Sequence, residues 1–337
     1  MLSRRGRELL TAAKREVGTW LGMREHDFGF VTNATEGINT VLRSLSFKPG
    51  DELLTTSHVY NAVRQAMKYV ASRSGATYRE IDVPLPIRSP QQIVQTVLDA
   101  ISAQTRLLVI DHVTSPTALV FPANQIAEAC AARGVDVLID GAHAPGMLPL
   151  DVPSMNAAYY AGNLHKWACA PKGTGFLWVR PDKQRDIHPL VISHHLGEGF
   201  DAEFSWQGTR DLATWLAVPC ALRFMSELGW DRVMAHNHAM AAWAQMFLCD
   251  RWGVEPISPA DGSMLGSMAT VRLPGRLREM ADEQAKSLQP RLYAEHRVEA
   301  PFMVWGGQAF VRPCCQVYNV PDDFHRLAEA ILELGRA

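Results

Sequence analysis

Short apolar runs alternate with amphipathic segments along most of the chain. The opening segment, residues 2–21, carries apolar residues at helical spacing between charged ones: Leu9, Leu10, Ala13, Val17, Trp20 and Leu21. This spacing predicts an amphipathic helix. Runs such as 107–110 (LLVI) and 137–139 (VLI) are apolar throughout, which is typical of strands that helices cover on both faces of a mostly parallel sheet. The alternation therefore predicts an α/β fold.

The same pattern gives the predicted elements and domains. Strands are expected at 28–32, 52–55, 77–81, 106–111, 136–140, 157–161 and 175–179, and helices at 35–45, 60–73, 90–102 and 122–133. Farther on, helices are expected at 230–249, 278–288 and 322–334, and strands at 268–273 and 309–313. Because 337 residues are about twice the usual domain size, we expect a large domain over residues 1–225 and a smaller α+β domain over residues 226–337.

Composition and charge narrow the function classes. Hydrophobic residues make up 47% and charged residues 20%, which is ordinary for a globular protein. Lys and Arg total 33 against 35 for Asp and Glu, so no global positive field favours nucleic acid or an anionic membrane as a partner. No apolar run approaches the ~20 residues of a membrane span, and the start lacks the apolar core of a secretory signal. We expect a cytoplasmic protein.

The six cysteines show neither CxxC nor CxxH spacing: Cys130, Cys169, Cys220, Cys249, Cys314 and Cys315. Reduced, buried thiols are the better interpretation for a cytoplasmic chain of this size. No metal site is predicted.

The segment FVTNATEGIN, residues 30–39, sets small polar residues between a short extended run and a helix. Asn33, Ala34 and Thr35 would lie at the helix N-terminus, where backbone N–H groups and the helix dipole favour a phosphate. A plain N-cap is the alternative.

Asp140 ends an apolar strand in VLIDGAHAPG, residues 137–146. A carboxylate at the C-terminal end of a parallel strand lies where such sheets bind ligands, and its burial requires a cationic or N–H partner. The alternative is a helix cap for the next turn. His143, three residues on, either lines the same pocket or fills the turn.

Lys166 follows an apolar strand and precedes Trp167 in YYAGNLHKWACAPKGTGFLWV, residues 159–179. Packing of this kind disfavours the ammonium form and makes the amine a better nucleophile toward an aldehyde. A solvated surface lysine is the alternative. Lys172 is a rival nucleophile, but PKGTG is typical of a turn.

Together these segments resemble the class V branch of the fold-type I pyridoxal-phosphate enzymes, in particular the isopenicillin N epimerase-like group. The resemblance rests on NATEGIN (33–39), SHVYNA (57–62), HVTSPTA (112–118), DGAHA (140–144), GNLHKW (162–167), WQGTRD (206–211) and VRPCCQVYN (311–319), which occur in the expected order. It implies a fold-type I architecture, pyridoxal 5'-phosphate as cofactor, and a homodimer with shared active sites.

The resemblance also implies roles for individual residues. Lys166 would bond covalently to the cofactor and later move the substrate Cα proton. Asp140 would pair with the pyridinium nitrogen. His58 would stack on the ring, and Tyr60 is a candidate for the same contact. Arg312 would grip the substrate carboxylate through two hydrogen bonds.

The remaining implied contacts surround the cofactor. Ser115 and His143 would lie near the phenolate oxygen of its ring. Its phosphate would be bound by Asn33, Ala34, Thr35, Asn163 and His165, and by Gly208 and Thr209 from the second subunit.

The resemblance implies one cofactor but leaves several reactions open. Epimerisation or racemisation, transamination and β-elimination all begin with removal of the Cα proton. Epimerisation needs a second acid, for which Tyr60 and the loop histidines His194 and His195 are candidates, although those histidines could simply face solvent. A non-catalytic fold relative is a further alternative, disfavoured because Lys166 and Asp140 are both present.

Two departures from the family pattern are visible. No cysteine lies between Cys249 and Arg312, where desulfurases carry their nucleophile, so persulfide chemistry is disfavoured. The family usually has a segment before the opening helix with a glycine-bearing turn that closes the site, whereas Met1 begins at that helix. We therefore expect a truncated or differently organised member.

Overall fold

The computed structural model describes residues 2–336 and confirms the α/β fold. The helices are α1 (Leu2–Leu21), α2 (Ala34–Ser44), α3 (Asn61–Ser74), α4 (Pro90–Ala100), α5 (Ala123–Ala131), α6 (Phe200–Ser205), α7 (Ala213–Leu216), α8 (Val218–Leu228), α9 (Trp230–Trp252), α10 (Asp282–His296) and α11 (Pro321–Leu334). The strands are β1 (Phe28–Val31), β2 (Glu52–Thr56), β3 (Thr77–Ile81), β4 (Thr105–Asp111), β5 (Asp136–Gly141), β6 (Tyr159–Asn163), β7 (Gly175–Val179), β8 (Val271–Arg272), β9 (Phe302–Trp305) and β10 (Gln308–Val311). Within the described part of the chain, no helix is long and apolar enough to cross a bilayer.

A seven-stranded sheet, in the order β1-β7-β6-β5-β4-β2-β3, forms the centre of the larger unit. Strand β7 runs antiparallel to both of its neighbours, and the other pairings are parallel. Strands β1, β2, β6 and β7 are buried along their whole length, as expected for a sheet covered on both faces.

The chain divides into two compact units that interleave in sequence. The larger unit starts with α1 and comprises the chain up to Val83, then Val94–Val113 and Pro122–Trp230. The smaller unit comprises Pro84–Ile93, Thr114–Phe121 and the chain from Asp231 onward. The predicted division between residues 225 and 226 assigns both short segments to the large domain instead. Neither segment carries a sequence pattern that links it to the later part of the chain.

The smaller unit has its own sheet, in the order β8-β10-β9, with antiparallel pairings. Its core includes Leu248, Leu273, Phe302 and Ile331. The sequence pattern missed β9, which joins β10 through Gly306–Gly307. Both glycines have positive φ angles, of 57° and 74°, as a two-residue hairpin turn requires. The helices between residues 200 and 228 were also not predicted.

The N-terminus of α2 is held by side chains from two parts of the larger unit. Asn33 caps the helix through its Oδ1, which accepts the Glu36 N–H at 2.9 Å. The Ala34 N–H donates to Oδ1 of Asn163, the last residue of β6, at 2.7 Å. The second bond fixes α2 against the C-terminal edge of the sheet.

We predict that Asn163→Ala lowers the free energy of unfolding by about 1–3 kcal/mol, because the buried Ala34 N–H loses its acceptor. Asn163→Asp keeps an acceptor at the same place, and a negative charge is favourable at a helix N-terminus. Thermal and urea unfolding of the three proteins without added ligand measures the difference. Equal destabilisation by Ala and Asp would contradict this account of the bond.

Candidate active site

Two aspartates stand side by side at the C-terminal edge of the large sheet. Asp111 ends β4 and is paired in register with Asp140 on the neighbouring parallel strand β5. Both residues are buried, at 2% and 4% exposed. Asp140 accepts the Ala142 N–H at 2.9 Å. Burial raises the pKa of Asp140, while the hydrogen bond from the Ala142 N–H and the charge of Lys166 oppose the rise.

A buried polar pair lies near this edge on β6 and on the residue after β4. Nδ1 of His112 is 2.9 Å from the hydroxyl oxygen of Tyr160. Burial lowers the pKa of His112 to about 4 and raises that of Tyr160, so both groups are neutral at pH 7. Gly141 is required here, because a Cβ at this position would overlap the fully buried Tyr160 ring.

Lys166 lies in the turn after β6, and its Nζ is 3.1 Å from Nε2 of His143. His143 is 8% exposed. The two loops can approach because Gly146 has a φ of 83°, and a Cβ there would come within 2.6 Å of the Trp167 backbone. The predicted strand-end Asp, histidine and lysine are thus brought together.

The two candidates for contact with a ring differ sharply in exposure. His58 is 0% exposed, and its Nε2 lies 2.7 Å from the carbonyl oxygen of Val83. Burial lowers its pKa to about 4. Tyr60, by contrast, is 44% exposed. Of the two side chains, Tyr60 therefore presents surface to a ligand, whereas His58 presents none.

The predicted phosphate ligands at α2 are partly committed to the fold. The N–H of Ala34 already donates to Asn163, and the side chain of Asn33 caps the helix. Thr35 occupies the second helical position, where backbone N–H groups have no partner within the helix. His165 places Nδ1 2.7 Å from the Thr174 carbonyl oxygen, and burial lowers its pKa.

Gly208 and Thr209 line a cleft of about 500 Å³ together with His195 and Trp206. This cleft lies within the larger unit. His194 is exposed, and its Nδ1 lies 3.2 Å from Nε1 of Trp206. Since the indole can only donate, His194 carries its proton on Nε2.

Arg312 follows β10 and is half-buried. Its Nη1 donates to the carbonyl oxygen of Ser115 and lies 3.3 Å from the Ser115 hydroxyl. No carboxylate among residues 2–336 forms an ion pair with Arg312, and its buried Nε has no hydrogen-bond partner there. The sequence also allows a structural role for Arg312, a salt bridge to an acid of the smaller domain such as Asp322, and this salt bridge is not formed. Ser115 contacts the arginine that was expected to bind substrate.

Other residues near the site were not found from the sequence. Asp111 and Tyr160 lie in strands whose apolar character dominates the pattern, and His112 directly follows one of them. The strand register sets Asp111 beside Asp140, and His112 contacts Tyr160, whose charge interaction with Asp140 shows their proximity. The guanidinium carbon of Arg210 lies 4.3 Å from the centroid of the Trp215 ring.

The six cysteines are free thiols, but Cys169, Cys220 and Cys314 are exposed rather than buried.

Comparison with known proteins places this arrangement in a family. Residues 2–321 match the aminotransferase class-V family. Isopenicillin N epimerase of Amycolatopsis lactamdurans is 33% identical over 99% of this chain and 87% of that protein. A putative L-cysteine desulfhydrase of Oryza sativa subsp. japonica is 33% identical over 91% and 70%. A C-DES mutant with glycine covalently linked to its PLP cofactor shares the fold, with a TM-score of 0.80, 19% identity and coverage of 98% and 86%. The chain belongs to the aminotransferase class-V family.

Proposed function

We propose that the protein is a pyridoxal-phosphate-dependent enzyme that removes the Cα proton of an amino acid or an amino-acid-like substrate. One observation carries the proposal: the Lys166 amine lies 3.1 Å from a buried imidazole and within electrostatic reach of the buried strand-end carboxylate of Asp140. The carboxylate suits a cationic ring nitrogen, and the amine suits both an aldehyde carbon and the transfer of a substrate proton.

The residues present fit this cofactor. Asp140 offers a buried carboxylate that requires a cation or a proton, and this suits a pyridinium nitrogen. The Lys166 amine would hold the aldehyde carbon. The start of α2 with Thr35 would hold the phosphate. Asn163 would contribute its NH2 group, because its Oδ1 accepts the Ala34 N–H.

When bound, pyridoxal phosphate draws electrons away from the Cα–H bond of an amino acid. The protein must then remove and return a proton at Cα. Lys166 is suited to this task because its amine has a fixed hydrogen-bond partner in His143, which limits the directions in which Nζ can point. We assign contact with the ring face to Tyr60 rather than to His58, on the basis of their exposures.

The first candidate reactions are epimerisation or racemisation and transamination. Epimerisation needs an acid on the face opposite Lys166, for which Tyr60 and the Nε2–H of His194 are the candidates. The second candidate is β-elimination with loss of a sulfur leaving group. The desulfhydrase relative, together with the lack of a cysteine between Cys249 and Arg312, favours an elimination without a persulfide as this alternative.

We further propose a cytoplasmic homodimer with shared active sites. The segment around the cleft displays apolar side chains: Val191, Ile192 and Leu196 are 54%, 52% and 57% exposed. Exposed apolar clusters of this kind favour an interface. A partner there would bring Gly208 and Thr209 toward the neighbouring phosphate.

We expect the wild-type protein to bind pyridoxal phosphate with visible absorbance, and borohydride to fix the label on Lys166. Lys166→Ala should abolish the fixed label, whereas the matched Lys172→Ala should keep it. Peptide mapping locates the label. The loaded wild type should then exchange the Cα proton of a substrate in deuterated water, and racemised amino acid, oxo acid or sulfide identifies the branch. A label on Lys172, or wild type that binds no cofactor, would reject the proposal.

Arg312→Lys should keep the cofactor absorbance but weaken amino-acid binding by about 2–4 kcal/mol, because one ammonium cannot replace a two-pronged guanidinium. Titration of the loaded enzyme with amino acids measures this, alongside the melting temperature. Arg272→Lys, on β8 of the small sheet, is the matched control and should leave binding unchanged. If Arg312→Lys lowers only the melting temperature, its role is confined to holding Ser115.

Sedimentation should find a dimer, and Ile192→Asp should shift it toward monomer and lower cofactor affinity, because the shared site is then incomplete. Tyr293→Asp, which alters an exposed ring on α10, is the control and should do neither. A wild-type monomer that retains its cofactor would exclude the shared site.

A further inference from the structure

Asp111 is a second buried acid at the ring-nitrogen end of the proposed site. It is paired in register with Asp140 across β4 and β5, and because side chains at paired positions of adjacent strands point to the same face, the two carboxyl groups are neighbours. Asp111 Oδ2 is buried and accepts no hydrogen bond from any donor among residues 2–336. A buried carboxylate oxygen without a donor or cation is costly, whereas a carboxylic acid O–H at this atom can donate to a neighbouring carboxylate.

The charged groups near Asp111 do not supply a dedicated counter-ion. Arg64 of α3 acts on it from a distance, but its Nε donates to Glu80 at 2.8 Å and its Nη2 to the Ser57 carbonyl oxygen at 3.2 Å. The Tyr60 backbone N–H is a neutral donor to Asp111. Burial and the charge of Asp140 raise the pKa of Asp111 well above its usual range.

The groups that face Asp140 complete the surroundings of the pair. The charge of Lys166 favours the ionised form of Asp140. Tyr160 of β6 also interacts with Asp140, and it stays protonated. Asp140 therefore has a cation within reach, whereas Asp111 has none of its own. This asymmetry decides which of the two acids ionises.

We propose that Asp111 and Asp140 form a carboxyl pair that shares one proton, with Asp111 as the protonated member donating to Asp140, so that Asp111 is a positioning residue for the carboxylate that meets the cofactor ring. The pair then carries one negative charge, which matches the single positive charge of a pyridinium nitrogen. Two ionised carboxylates would leave one buried charge uncompensated. This inference rests on the proposed function only for the identity of the cation.

Three variants measured by titration with pyridoxal phosphate test the donor role. Asp111→Asn places an amide N–H where the acid O–H was, and its dissociation constant should stay within about threefold of wild type. Asp111→Leu has a similar size but no donor, and its dissociation constant should rise about tenfold or more. Asp140→Asn, which removes the charge itself, should lose at least as much. If Asp111→Asn is as weak as Asp111→Leu, or if Asp111→Leu binds like wild type, the proposal is wrong.

A second measurement needs no cofactor and does not depend on whether Asp111→Leu folds. An acid whose pKa is raised by folding holds a proton that the unfolded chain has lost, so stability falls as pH rises above the unfolded pKa of about 4, until the folded protein also loses that proton. The melting temperature of Asp111→Asn should fall less steeply over this range than that of wild type. Equal slopes would overturn the shared proton. If wild type binds no pyridoxal phosphate, the proposed function fails, while this comparison still decides the state of the pair.

Discussion

A carboxylate removed from water must be balanced by a cation, by hydrogen bonds or by a proton. Asp140 is such a carboxylate, because it is buried at the end of β5, where the register sets it beside Asp111 of β4. Much of the site follows from it. The Ala142 N–H supplies one hydrogen bond, and the turn after β6 brings Lys166 within electrostatic reach. A sheet that ends in a buried acid is thus prepared for a ligand with a positive ring atom, because such a ligand completes the balance.

Close backbone approach is the second requirement, and it explains why the motifs around the site are rich in small residues. Gly146 allows the loop after β5 to lie against the backbone of Trp167, which sets the direction of the neighbouring Lys166. Gly141 leaves room for the buried Tyr160 ring beside β5. A methyl group at either position would meet atoms that cannot move aside, so the polar residues depend on glycines that take no part in the chemistry.

The sequence predicted the α/β fold because hydrophobic period is a local signal, and the family resemblance implied the grouping of the strand-end Asp140 with His143 and Lys166. The sequence could not predict Asp111, since an acid at the end of an apolar strand becomes significant only when the register sets it beside another acid. The exposure of the two candidates for the ring contact could not be predicted from the sequence either. The resemblance named His58 for the ring contact with Tyr60 as a second candidate, and tertiary packing buries the His58 imidazole against the Val83 carbonyl.

The smaller unit depends on two segments that come from the earlier half of the chain. The Ile87 N–H donates to the carbonyl oxygen of Ile257, and the Val120 N–H donates to that of Met264, so two excursions from the earlier half supply backbone partners to the later half. Ser115, which Arg312 contacts, comes from one of these excursions. A contiguous C-terminal fragment would lack these partners. The smaller unit is therefore not a transplantable module, and recombination at the boundary after Trp230 would separate the arginine from the segment that orients it.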